Sequence, residues 1–168
     1  EDARRADPGF ADAAIGLASS LGYLMYLHRD DAARVRELVA RVSPLVKEAE
    51  GKAPDHARLI WVLGPSRWNA PRDAEPGDAA SRQTGVIASY ERALAAIRRQ
   101  PAPADPLVPA WGEPELLMSL AWSHLNKAEP DAAAAERYAT EALALAPDWH
   151  YLRDILMPQI RKAGRGRP

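Results

Sequence analysis

The chain of 168 residues has no cysteine. This excludes disulfides, thiolate metal sites and cysteine nucleophiles, and it leaves the redox compartment open. Net charge is almost absent too, with 22 basic against 23 acidic side chains giving -1. Phosphate recognition runs on clustered Lys and Arg, so no nucleic-acid partner is expected. No apolar run approaches the roughly 20 residues of a membrane-spanning helix, so no integral membrane segment is expected. There is no H-E-x-x-H, no G-x-S-x-G and no P-loop. The four histidines are His28, His56, His124 and His150, and no two fall at the i, i+3 or i, i+4 spacing of a helical metal pair. Carboxylates are many but scattered, and sequence gives no pair converging for acid-base work. No catalytic residue, metal or cofactor is expected, and the chain is not expected to be an enzyme.

What is present is alanine and proline. Apolar residues make up 47% of the chain, enough for a core, and 34 residues are alanine, the best helix former. The 15 prolines cut this helix-rich composition into pieces. Helices are predicted over 10–28, 31–50, 55–63, 81–99, 113–126, 131–146 and 149–160. In the first, Phe10, Ala14, Leu17, Leu21, Leu24 and Leu27 form the apolar stripe. Pro44 should kink or end the second helix, Pro65 should end the third and Pro158 should strain the last. Asp131 suits a helix N-terminus. Two proline-rich stretches, 64–80 and 101–112, read as irregular loops, with Trp111 stapling the second onto the fold. The basic tail 164–168 should fray.

The prolines also mark a period. Pro8, Pro54 and Pro147 each follow a small residue five positions earlier, at Ala3, Ala49 and Ala142. Ahead of the second and third lie Val42 and Val46, then Ala135 and Ala139, at matching offsets. Leu17-Ala18 and Leu63-Gly64 follow the first two prolines at one offset, and Leu120-Ala121 is a third such pair. These marks resemble the tetratricopeptide repeat, a helix-turn-helix of about 34 residues with small residues at the helix contacts and a closing proline. The resemblance implies an all-α superhelix over 1–168, with units at about 9–54, 55–100 and 114–147, a capping helix over 148–163 and a basic tail. The signature Trp is replaced by Ala14, Ile60 and Leu117, and the signature Tyr by Leu21, Arg67 and His124. The first two units are each about 46 residues long. Ala18, Gly64 and Ala121 should be close-contact positions, since each repeat covers its apolar face only with its neighbour.

Carrying the family's groove positions over gives Asp12, Ile15, Ser19 and Tyr23 from the first unit. The second gives Arg58, Trp61, Trp68 and Asn69, and the third gives Glu115, Met118, Trp122 and Asn126. Five tryptophans stand against one phenylalanine, and three of them fall on this face. Tryptophan and tyrosine are favoured at binding hot spots. The rings either bind a partner or fill space between repeats, and both readings are open. Asp12 and Glu115 disfavour the family's grip on acidic peptide C-termini. The function implied is a non-enzymatic scaffold that presents an aromatic groove to a protein or peptide partner. The alternative is a periplasmic small-molecule-binding or transporter-associated accessory protein, with Trp61, Trp68 and Trp122 lining a pocket closed by the 64–80 loop. The chain starts at Glu1, which reads as a trimmed or processed beginning. PLVPAWGEPELLMSL and DWHYLRDILMPQI look like segments of bacterial repeat proteins with secretion signals. That likeness implies an exported, periplasmic location over a cytoplasmic one.

Overall fold

The computed structural model describes residues 1–70, 78–99 and 112–165, and all regular structure among them is helical, as the composition predicts. The chain divides into two compact units between Val62 and Leu63. The N-terminal unit holds α1 (Asp2–Ala6), α2 (Ala11–Leu27) and α3 (Ala32–Lys52). α4 (Ala57–Trp68) contains the point of division. The C-terminal unit holds α5 (Ala79–Arg99), α6 (Glu113–Asn126), α7 (Ala132–Leu145), a π-helical turn (Tyr151–Leu156) and α8 (Met157–Arg165).

Three junctions repeat one backbone design. Asp7, Ala53 and Ala146 each precede a proline, which disfavours the α conformation, so the helix must end there. Their φ angles are -137°, -150° and -136°, all outside the helical range. Their N–H groups donate to the carbonyls of Ala3, Ala49 and Ala142 at 3.0, 2.8 and 2.9 Å. Their own carbonyls accept from the N–H groups of Phe10, His56 and Trp149 at 3.2, 3.0 and 3.2 Å. The alanine five residues before each proline thus supplies the last carbonyl that the turn satisfies.

The second helices share a start as well. Asp31, Asp78 and Asp131 are each followed by Ala-Ala. Asp31 accepts from the Ala33 and Arg34 N–H groups, Asp78 from Ser81 at 2.7 Å, and Asp131 from Ala134 at 3.0 Å. These bonds satisfy donors that a helix N-terminus leaves unpaired. The Ala134 N–H holds the Asp131 carboxyl below the usual carboxylate value, and the Ser81 N–H does the same for Asp78. Sequence inspection singles out only Asp131; the recurring Asp-Ala-Ala is the signal for the other two.

The prolines break less than expected. α3 runs unbroken through Pro44, because that residue lies on the exposed face while Leu38, Leu45 and Ala49 anchor the opposite one. α4 continues past Pro65 to Trp68, with Pro65 again exposed. Pro158 is accommodated by the π-helical turn before it, in which the Met157 N–H reaches the Leu152 carbonyl five residues back. Gly64–Trp68, expected in a loop, belong to α4, and Ala79 and Ala80 start α5 directly after Asp78, while 71–77 lie outside the described residues. The segment 101–111, with Trp111, also lies outside them, as does 166–168. Gly164 and Arg165, expected in the tail, complete α8. Gly112 starts α6 at φ 110°, a left-handed conformation that favours glycine.

Each unit has its own core. α2 and α3 pack through Ala18, Leu21, Leu38 and Leu45, ringed by Leu17, Met25, Val42 and Val46. The stripe on α2 is rotated from the expected one: Ala14, Ile15, Ala18 and Leu21 are buried, whereas Phe10, Leu24 and Leu27 are exposed. In the C-terminal unit Leu116, Leu117, Leu120 and Ala121 of α6 are fully buried, as are Ala135, Ala139 and Ala142 of α7. Here the alanines bring helix axes close together. Gly64 does so most sharply, since a Cβ there would lie 1.7 Å from the Tyr90 hydroxyl.

Candidate functional site

The groove residues expected in the N-terminal unit separate into core, ion cluster and open surface. Ile15 is fully buried, which corrects its assignment to a groove. It lies on the buried arc of α2 together with Ala14, Ala18 and Leu21. Asp12, one turn earlier and part-buried, collects two donors: His56 Nε2 lies 3.0 Å from Oδ2 and Arg58 Nη1 lies 3.3 Å from Oδ1. The Arg58 guanidinium also rests against Gly16, 3.5 Å from where a Cβ would stand. Arg58 is thus engaged with a carboxylate of its own chain. Ser19 and Trp61 are half-buried.

Tyr23 is open. It is 65% exposed, and Tyr26 and Leu27 beside it are 62% and 55% exposed. The i, i+3, i+4 spacing places the three on one helix face. The two tyrosine rings lie 6.4 Å apart, tilted by 31°, and the Arg29 guanidinium lies 5.0 Å from the Tyr26 ring centre. Asp12 and Gly16 share this side of α2 two turns earlier, where His56 and Arg58 cover it. The face is therefore covered at its N-terminal end and bare at its C-terminal end.

In the C-terminal unit the expected residues partly meet. Trp68 and Trp122 pack edge to face, with ring centres 5.3 Å apart and planes at 67°. Both are half-buried, as are Met118 and Glu115, and the Glu115 Oε2 is enclosed without a hydrogen-bond partner. Asn69 and Asn126 turn back on their own helices: their side-chain amides donate to the carbonyls of Pro65 at 2.9 Å and Trp122 at 2.8 Å. They serve the ends of α4 and α6. Trp61, the third tryptophan of the expected face, belongs to the N-terminal unit.

Other polar residues here went unmarked by sequence. The Tyr90 hydroxyl, in the space left by Gly64, hydrogen-bonds Ser119, and burial pushes its pKa up to about 12. Arg98 joins three helices, donating to Glu113 and Glu141 at 2.7 Å each. His124, which the sequence marked only as standing in for the repeat's Tyr, is largely buried and stacks on Tyr138 with ring centres 5.5 Å apart. Among the described residues no three His, Asp or Glu side chains converge to hold a metal, and no helix is long and apolar enough to cross a membrane.

One regularity joins both units. Seven hydrogen bonds made by side chains of the described residues link positions 43 to 47 apart, among them Arg4 to Glu48, Arg58 to Asp12, Arg98 to Glu141 and Tyr138 to Glu91. That spacing matches the period of the prolines, and it was the available signal for the Asp12 cluster. Asp12 and Arg58 each stand four residues after a junction proline. No family model, curated protein or solved structure matches the chain.

Proposed function

We propose that the chain is a non-enzymatic scaffold of the tetratricopeptide kind, and that side chains of its first helices engage a protein or peptide partner. The repeat reading draws support from the three matching proline junctions, the three Asp-Ala-Ala helix starts and the side-chain bonds one period apart. The binding reading is carried by the bare face of Tyr23, Tyr26 and Leu27. Large aromatic rings left in water are costly to solubility, and they bury large area at low entropic cost when a partner covers them. Tyr23 is also the groove residue that stands most open among those expected in the N-terminal unit.

The test is a selection of displayed peptides on the immobilised full chain, repeated on the Tyr23→Ser/Tyr26→Ser variant. Peptides enriched on the first and lost on the second are the expected result. Enrichment that is indifferent to both tyrosines, or none at all, would remove the α2 face as the binding surface.

A further inference from the structure

His124 stands in the last turn of α6, tied to the turn that leads into α7. Its carbonyl accepts the Asp131 N–H at 2.9 Å. Its ring stacks on Tyr138 at 29°, and both ring nitrogens are enclosed without a hydrogen-bond partner. The nearest carboxylate oxygen is Asp131 Oδ2, 4.0 Å from Nδ1 and outside hydrogen-bond reach. That same carboxylate caps α7 through Ala134. The turn is held from α5 as well, since the Ala128 N–H donates to Gln83 Oε1 at 3.0 Å.

We propose that His124 is an acid-operated release for the α6–α7 hairpin, in which protonation of the ring loosens the turn between Asn126 and Asp131. The charged ring would carry two N–H donors into a place with no acceptor for either. Two relaxations are available. Asp131 can turn toward the ring at the expense of the α7 cap, or the ring can leave Tyr138 for water. The first undoes the α7 cap and the second the stacking between α6 and α7, the side-chain contacts that flank the turn.

Charges of both signs surround the ring. Glu91 reaches the ring's surroundings from α5, where it accepts from the Tyr138 hydroxyl at 3.2 Å. Lys127 lies in the turn, Asp131 at the cap, and Arg137 over the Tyr138 ring on α7. Burial is the largest influence and lowers the His124 pKa; Lys127 and Arg137 also disfavour the imidazolium, while Asp131 and Glu91 favour it. A histidine pKa lower in the folded state than in the unfolded state means that the unfolded chain takes up the proton more readily. The stability contributed is therefore complete above the ordinary value of about 6.5, and it is lost as pH falls through and below that value.

The experiment is an NMR titration of the full chain, following the His124 ring together with amide exchange at Asp131 and Ala134, on the wild type and on His124→Gln. The expected ring midpoint lies below about 6.5. Protection of the two amides, corrected for intrinsic exchange, should fall by about tenfold or more across that midpoint in the wild type and stay level in the variant. A midpoint at or above the ordinary value overturns the proposal, as does an equal loss in His124→Gln. Should that variant not fold, the wild type decides alone: loss of protection that does not track the ring titration overturns it.

Discussion

At Gly64 one hydrogen in place of a methyl group lets the Tyr90 phenol sit against the α4 backbone. Gly64→Ala should cost about 1–3 kcal/mol in chemical denaturation, because neither backbone nor ring can yield easily. Ala121, fully buried on α6, is the matching test in the third helical pair. Ala121→Leu should likewise cost about 1–3 kcal/mol, and an unchanged denaturation midpoint would sink the repeat register that makes it a contact position. These small residues were legible because they recur at one offset from the leucine before them. Ile15 was not. A leucine-rich pattern puts Leu17, Leu24 and Leu27 inside on hydrophobicity alone. The buried arc of α2 runs through Ala14, Ile15, Ala18 and Leu21, which puts Ile15 inside and leaves Leu27 outside.

At the scale of helices, start and stop signals were uneven guides. Proline after a non-helical residue ends a helix three times over, and the junction prolines were readable for that reason. Pro65 was misread as a helix end, and Pro44 does not end α3, because sequence does not say which face of a helix a proline occupies. On the water-facing side the disrupted backbone stays hydrated, while burial on the other side keeps the helix going. Pro44→Ala should therefore stabilise the protein by about 2 kcal/mol, the helix-interior penalty of proline less the chain stiffness it gives the unfolded state. Thermal or urea unfolding measures this, and a destabilised variant would mean that Pro44 makes a contact which the exposed face does not provide. Replacing the α7 cap, Asp131→Ala, should cost about 0.5–2 kcal/mol at neutral pH. The cap's own pH dependence has the usual carboxylate sign. Its stabilising effect is present above the ordinary Asp value of 3.8, and it fades as pH falls through the lowered folded value. Urea unfolding of Asp131→Ala at neutral and acid pH checks both, with a smaller deficit expected in acid.

Across the chain, the period of about 46 residues that the prolines announce is the same spacing at which side chains reach one another. The helical class and most helix positions followed from composition and punctuation. The polar contacts did not, since Asp12 with His56 and Arg58 needs knowledge of which faces meet, and residue types alone leave that open. The Trp68–Trp122 pair shows the same limit: the spacing on α6 placed Trp122 near Met118, but the edge-to-face seat of Trp68 required α4 to outrun Pro65. We propose that the bare tyrosine face of α2 binds a partner. Calorimetric titration of a peptide selected on the wild-type chain, against wild type and Tyr23→Ser/Tyr26→Ser, tests it most directly. An affinity loss of about tenfold or more with unchanged helical circular dichroism is the predicted result. Equal affinity for both proteins would contradict it.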